Sequence, residues 1–194
     1  QEHITLGEVR ENAPVFVVDD NYLKRLDGTA LSEKDKELTL ENRLRTVLRI
    51  KASDLPIYKT LQERLEKIIE RRNEEVDDTY ALLCSIMNDL NDAQDVEKSS
   101  DLTMGERAIS QLLREKLDNE ALVSVITSEL NDTVVSYTND FENWQQKQTV
   151  VDRIRVDIIK QLVGLSKVHS AINKETVDYI PFAEQLMKYI IQYY

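Results

Sequence analysis

The scarcity of glycine and proline is the feature of this sequence that most restricts its fold. The 194 residues include four Gly and three Pro, whereas an average protein contains roughly 7% Gly and 5% Pro. Sandwiches, barrels and propellers need a turn about every 8–12 residues, and these two residue types form most such turns. Because so few of them are present, a β-rich fold is excluded and a mostly helical fold is predicted.

Apolar residues recur at helical spacing from Ser32 onward. Leu40, Leu44 and Leu48 are four residues apart, which puts them on one side of a helix. Later stripes of the same kind begin at Ile57, Leu83, Ile109, Leu122, Val151 and Phe182. We therefore predict an all-α bundle of about seven helices over residues 31–194. The segments 57–72 and 79–97 should form an antiparallel pair, because the link between them is short.

Polar residues and prolines mark the starts of these helices. Ser32 and the pair Asp118 and Asn119 are residue types that accept a hydrogen bond from the first turn of a helix. Thr103 and Glu106 have the spacing of a capping box, in which each side chain satisfies a backbone N–H near the helix start. The remaining starts are expected at Pro56, at Asp77 or Asp78, and near Pro181.

The first thirty residues differ from the rest in composition. Val15, Phe16, Val17 and Val18 form a short β-branched and aromatic run, and polar residues follow it. We expect a short extended or β-like arm over residues 1–30, followed by one helical domain over residues 31–194. The chain begins without Met, so we expect it to be a piece of a longer protein.

Charge and cysteine content restrict the class of protein. The sequence has 36 acidic and 25 basic residues and a formal net charge of −11, which disfavours unspecific coating of nucleic acid. A single cysteine, Cys84, excludes an internal disulfide framework, and its apolar neighbours predict a small buried core residue. Neither a signal peptide nor a run of about 18 apolar residues is present. We expect a cytoplasmic protein with no membrane contact.

The sequence contains none of the common catalytic motifs. Its four glycines are too far apart for a phosphate-binding loop, and His3 and His169 have no partner at metal-ligand spacing. No Asp or Glu is followed by Lys two positions later, as the common Mg²⁺-dependent nucleases require. We predict no catalytic, cofactor-binding or metal-binding residue in this chain.

Basic residues recur in the C-terminal third of this acidic chain. Arg153, Lys160 and Lys167 are seven residues apart, so a continuous helix would carry them along one side. Arg45 and Arg49, four residues apart, would share another helix face. These residues are either ordinary solvated positions or a basic strip that meets an acidic partner or a phosphate backbone.

The only tryptophan, Trp144, also has two interpretations. It is either a residue at the edge of the core with its indole N–H bonded, or an exposed anchor for a partner. Six residues are therefore candidates for contact with a partner or DNA: Arg45, Arg49, Trp144, Arg153, Lys160 and Lys167.

Several segments resemble a known family. The pattern P-[IV]-Y-x-x-L-x-E-R-L-E-x-I-I occurs in Leu55–Ile69. This segment, together with Phe16–Leu23, Leu102–Ala108, Trp144 and Val151–Arg155, resembles the C-terminal helical region of the type I restriction enzyme R subunit. Members of that family usually have Pro and Glu after the Thr of the capping segment, whereas this chain has Met104 and Gly105.

The resemblance implies a bacterial or archaeal cytoplasmic subunit that uses ATP to translocate DNA and cuts it. Its nuclease and motor domains would lie upstream and would bind the ATP and Mg²⁺, so no cofactor is expected in this region. The helical region would dock the subunit onto the methyltransferase and specificity subunits. Two alternatives remain open. The region could bind the DNA backbone directly, although weakly when isolated, or the chain could be an unrelated helical adaptor.

Overall fold

Eight α-helices and one short 3₁₀ turn make up the part of the protein that its computed structural model describes, residues 21–71 and 78–194. The helices are α1 (Tyr22–Asp27), α2 (Glu33–Lys51), α3 (Pro56–Arg71), α4 (Thr79–Ser99), α5 (Met104–Arg114), α6 (Glu120–Asp140), α7 (Gln148–Ser166) and α8 (Tyr179–Tyr193), and the 3₁₀ turn is Trp144–Gln146. The predicted all-α fold is confirmed.

The predicted capping residues start three of the helices. The Ser32 hydroxyl accepts a hydrogen bond from the Asp35 N–H at 3.2 Å, and Asn119 caps α6 in the same way. At α5 the Glu106 N–H donates to the Thr103 hydroxyl at 3.2 Å, and the Thr103 N–H donates to the Glu106 carboxylate at 2.9 Å. The capping box is therefore complete, and each helix begins where its sequence indicates.

Two other helices begin at or near the predicted residues but have no side-chain capping bond. Asp78 precedes α4, but its side chain makes no capping hydrogen bond, and Asp77 lies outside the described residues. Helix α8 begins at Tyr179, two residues before Pro181. Proline is tolerated there because the first turn of a helix does not use its N–H groups for intrahelical bonds.

The last part of the predicted arm is helical. Residues 22–27 form α1, which ends at Gly28 and buries Leu26 against the core. We expected extended structure over residues 1–30 because of the run Val15–Val18, which lies outside the described residues. The apolar spacing of Tyr22, Leu23 and Leu26 is helical, and this short stripe accounts for the eighth helix.

The helices pack as a three-helix group followed by a closed four-helix ring. Helices α2, α3 and α4 contact one another, and in the ring each of α5, α6, α7 and α8 contacts its two neighbours. The two groups meet where α3 packs on α5. The end of α8 joins them too, since the Gln192 amide donates to the Ser53 carbonyl at 3.1 Å and the Tyr193 hydroxyl donates to the Asp54 carbonyl.

One continuous hydrophobic core runs through both groups. The predicted stripe residues Leu40, Leu44 and Leu48 are fully buried. Cys84, by contrast, packs against the core but is only half-buried, so the prediction that it is a buried core residue is wrong. Residues 83, 86, 87 and 90 face inward on α4, and position 84 lies at the margin of that stripe.

Gly105 allows an aromatic ring to approach α5 closely. A Cβ atom at this position would lie 2.1 Å from Cε2 of Tyr194, so any side chain there would displace the ring. The Tyr194 hydroxyl also donates a hydrogen bond to the Asn131 side chain. Gly105, where the resembled family has Glu, therefore suits the packing of Tyr194 onto α5 and α6.

Helices α3 and α4 are antiparallel, as predicted. Tyr58 near the start of α3 contacts Glu97 near the end of α4. Further along α3, Arg64 forms an ion pair of 2.6 Å with Asp89, which lies earlier in α4. The order of contacts thus runs in opposite directions along the two helices.

A polar cluster of Lys51, Tyr58 and Glu97 holds α2, α3 and α4 together. Tyr58 is fully buried, and its hydroxyl donates to the Glu97 carboxylate. The Lys51 ammonium lies 3.1 Å from a Glu97 oxygen and 4.7 Å from the centre of the Tyr58 ring. Each of the three helices therefore contributes one member of the cluster.

The cluster lowers the pKa of Glu97 below its usual value of 4.5. Burial alone would raise this pKa, but the hydrogen bonds from Tyr58 and Lys51 and the positive charge of Lys51 outweigh burial. Burial and the hydrogen bond to Glu97 together raise the pKa of the Tyr58 hydroxyl. The cluster is therefore most stable with Glu97 ionised and Tyr58 protonated.

Tyr58→Phe should lower the free energy of unfolding by about 1–2 kcal/mol, because it removes a buried donor from a charged acceptor. Urea unfolding followed by circular dichroism would measure the loss. Tyr179→Phe is the matched control, since no hydrogen bond to the Tyr179 hydroxyl is formed within the described residues. Equal stability of Tyr58→Phe and the wild type would contradict the assigned role of this hydroxyl.

Acid should weaken the fold partly through Glu97. Since its pKa is lower in the folded than in the unfolded protein, the unfolded state binds more protons as the pH falls. The contribution of Glu97 is thus present above its usual pKa of 4.5 and is lost as the pH falls through the lowered pKa.

We expect Glu97→Gln to be less stable than the wild type at neutral pH. Its free energy of unfolding should also fall less steeply between about pH 5 and pH 3. Urea unfolding at several pH values would measure both effects, with the exposed Glu142→Gln as control. A wild-type slope in Glu97→Gln would show that Glu97 is not a source of the acid sensitivity.

Candidate partner-contact surface

The packing of α7 decides which of its residues reach solvent. Ile154, Ile158 and Leu162 are fully buried against the neighbouring helices α6 and α8. This burial fixes the rotation of α7 and leaves Arg153 and Lys160 exposed on the opposite side. The sequence stripe that predicted the helix therefore also determines its outer face.

Lys167 continues this line of cations beyond the last turn of α7. It follows Ser166 directly and keeps helical backbone angles, with φ −77° and ψ −24°. Seven residues rise about 10 Å along a helix and return to nearly the same side. Arg153, Lys160 and Lys167 therefore lie along one exposed line that spans about 20 Å.

These three cations have few partners within the protein. The Lys160 ammonium lies 2.9 Å from the Asp157 carboxylate, and both side chains are solvent-accessible. Such surface pairs contribute roughly 0–1 kcal/mol, so a partner could replace this one at little cost. Neither Arg153 nor Lys167 forms a hydrogen bond or a close ion pair with a residue in 21–71 or 78–194.

Asp157 is held mainly by a neighbouring helix. It accepts a hydrogen bond from the Tyr137 hydroxyl of α6 at 2.5 Å. This bond and the one from Lys160 lower the pKa of the Asp157 carboxyl. The carboxylate therefore stays ionised and anchors α7 to α6, beside the line of cations.

Two valines on the same side of α7 were missed by the sequence analysis. Val156 and Val163 keep 46% and 36% of their surface exposed and lie between the cations in sequence. We define the α7 outer face by these two valines and the three cations: Arg153, Val156, Lys160, Val163 and Lys167. The signal was present in the sequence, because neither valine belongs to the stripe of buried residues that begins at Val151.

Arg45 and Arg49 lie elsewhere, on a groove of about 490 Å³ between α2 and α3. Arg45 is bound to Glu41 at 2.9 Å, and Glu66 and Glu70 line the same groove. The local charge is therefore mixed. The principal packing of α2 is on α3 and α4, whereas that of α7 is on α6 and α8, so the two predicted basic sets belong to different helix groups.

Trp144 lies in the core, with 2% of its surface exposed. Its 3₁₀ turn follows Asn143, which has a positive φ of 51°, and packs against α7. This burial agrees with the core-edge interpretation and does not fit an exposed anchor. The bonded N–H expected with it is not found, since Nε1 has no hydrogen-bond partner among the described residues.

Within the described residues, no group of three or more His, Cys, Asp or Glu side chains is arranged to hold a metal ion. None of the helices in this part of the chain combines the length and the apolar character needed to cross a membrane.

Comparison with models of protein families, with curated proteins and with solved structures finds no match to this chain.

Replacing Trp144 should test its role in packing. We expect Trp144→Ala to lower the free energy of unfolding by about 3–5 kcal/mol, because it leaves a large cavity in the core. Trp144→Phe should cost much less, since it keeps an aromatic ring and removes an N–H that has no partner. Circular dichroism should follow unfolding, because each variant lacks the only tryptophan. A mild effect of Trp144→Ala would contradict the core position.

Proposed function

We propose that this chain is the C-terminal helical domain of a type I restriction–modification R subunit. In this proposal it docks the DNA-translocating endonuclease subunit onto the methyltransferase and specificity subunits. The protein would act in the bacterial or archaeal cytoplasm, and the upstream domains would bind ATP and Mg²⁺. The observation that carries the docking role is the exposed line of Arg153, Lys160 and Lys167 on a protein of net charge −11, whereas the proposed identity of the subunit rests on the sequence resemblance.

The separation of charge supports a docking role. An acidic protein repels most acidic surfaces, so a basic line on one helix sets the orientation in which an acidic partner approaches. Arg153 and Lys167 have no competing close ion pair within the described residues. Neither side chain has to break a direct contact to meet a partner, although Arg153 also attracts the nearby Asp157 carboxylate through space.

The rigidity of the four-helix ring also supports docking. Helix α7 is packed on α6 and α8 along its length, and the Tyr137–Asp157 hydrogen bond fixes it from the side. A surface that is already ordered loses little conformational entropy on binding. The ring therefore presents the cations at constant spacing.

The same cations are also the strongest support for direct binding to a DNA backbone. Lysine and arginine neutralise phosphates, and three contacts would release about three counterions. The net charge of −11 opposes this role for the isolated domain, and we expect an affinity of roughly 10⁻⁴ M or weaker. Protein docking is therefore the favoured function.

Charge reversal on α7 should disrupt assembly. We expect Arg153→Glu, Lys160→Glu and Lys167→Glu together, in the intact R subunit, to weaken binding to the methyltransferase complex by at least about tenfold. Like charges would then face each other in the interface. Sedimentation or interferometry with the purified complex would measure the affinity.

The matched control reverses Lys24, Lys34 and Lys67, which are exposed and lie in α1, α2 and α3. It changes the net charge by the same amount at sites away from α7. Undiminished assembly of the α7 variant would rule out this docking face. Nanomolar, strongly salt-dependent binding of the wild-type domain to a short DNA duplex would favour the nucleic-acid function instead.

A further inference from the structure

The α7 outer face has the residue spacing of a helix-packing seam. Its five members are separated by three, four, three and four residues. This alternation places side chains along one narrow line of a helix, as in the contact line of a coiled coil. The seam alternates Arg or Lys with Val, whereas the opposite side of α7 is mostly apolar and buried, and Gln161 on that side accepts a hydrogen bond from the Thr133 hydroxyl of α6.

The two valines decide what kind of surface can cover this face. Each is partly exposed between two cations, so a partner gains free energy by removing both from water. A phosphate backbone can form ion pairs with the cations, but it gives the valines no apolar surface to pack against. A helix with apolar residues seven positions apart can pack against both valines and place acidic residues between them, opposite the cations.

Gly164 favours close approach of such a helix. It lies in α7 beside Val163 and is exposed, and apart from its chain neighbours and the nearby backbone of its own helix no atom lies within 4 Å of the position that a Cβ would occupy. A missing side chain next to the seam leaves room for the backbone or a large side chain of a partner. The cation side chains therefore project from this surface, and the position beside Val163 carries no side chain.

We propose that the α7 outer face binds an acidic amphipathic α-helix that the partner subunit contributes. Apolar residues of that helix pack on Val156 and Val163, and its flanking Asp or Glu side chains pair with Arg153, Lys160 and Lys167. This inference rests on the proposed docking function and specifies the chemistry of the partner. It excludes α7 of a second copy as the occupant, because symmetric pairing would bring cations against cations.

A designed peptide tests the face without the partner subunit. The probe is a fluorescently labelled helical peptide of about four heptads, with Leu at every seventh position to meet the valines and Glu three and four residues from each Leu to meet the cations. Its control replaces every Glu by Lys. Fluorescence anisotropy with the full chain should show binding of the acidic peptide and none of the basic peptide.

Variants of the chain separate packing from charge. Val156→Ser with Val163→Ser keeps all cations and should weaken peptide binding by about tenfold or more, because two apolar contacts are lost. The matched control, Leu38→Ser with Val96→Ser, removes two exposed apolar side chains from α2 and α4 and should leave binding unchanged. Circular dichroism would confirm that both variants are folded.

The outcomes distinguish this inference from the function on which it rests. If the acidic peptide does not bind while charge reversal on α7 still disrupts assembly, the helical partner is wrong and docking stands. If the peptide binds but charge reversal leaves assembly intact, the docking function is wrong. If the valine variant binds the acidic peptide with unchanged affinity, the peptide contacts only the charged residues. If the protein forms concentration-dependent dimers that cover α7, the occupant of this face is a second copy of the chain. Either result would overturn the inference.

Discussion

The burial of one apolar side of each helix is the constraint on which the rest of this structure depends. A helix that hides Ile154, Ile158 and Leu162 has no freedom to rotate, so its opposite side is fixed as well. The hydrophobic effect thus determines the outer surface indirectly: it positions residues that make no contact with the core. The line of cations on α7 is a consequence of this packing.

Polar contacts between helices restrict how the helices can be arranged within this packing. The cluster of Lys51, Tyr58 and Glu97 joins three helices through one carboxylate. The Tyr137–Asp157 bond similarly joins α6 to α7. Buried or half-buried groups of this kind require partners of matching geometry, so they favour one helix arrangement over its alternatives. The docking proposal needs this rigidity, since the spacing of the cations along α7 would otherwise vary.

The sequence predicted the features that depend on neighbours along the chain. Periodicity located the main helices, and the Thr103–Glu106 spacing predicted a capping box that the structure contains. Features that depend on tertiary contacts were missed or misjudged. Cys84 lies among apolar residues, yet the packing of α4 leaves it half-buried. The inter-helix cluster of Tyr58 and Glu97 joins residues 39 positions apart, which no local pattern indicates.

The candidate surface also combines features that the sequence predicted with features that it did not. The seven-residue spacing of the α7 cations followed from the sequence, and the buried stripe explains why these cations face outward. The spacing of the charged residues does not reveal Val156. Its position outside the buried stripe of α7 could have indicated that it is exposed. Trp144 is buried, and its two interpretations could be separated only by the packing of its 3₁₀ turn against α7.

Lysine reactivity within the assembled complex tests the central claim, that the α7 outer face is where a partner binds. Acetylation of the protein, free and after mixing with the proposed partner complex, followed by mass spectrometry, reports the accessibility of each lysine separately. If this face binds the partner, Lys160 and Lys167 should lose reactivity on assembly while Lys34 and Lys67 keep theirs. Full reactivity of Lys160 and Lys167 in the complex would contradict it.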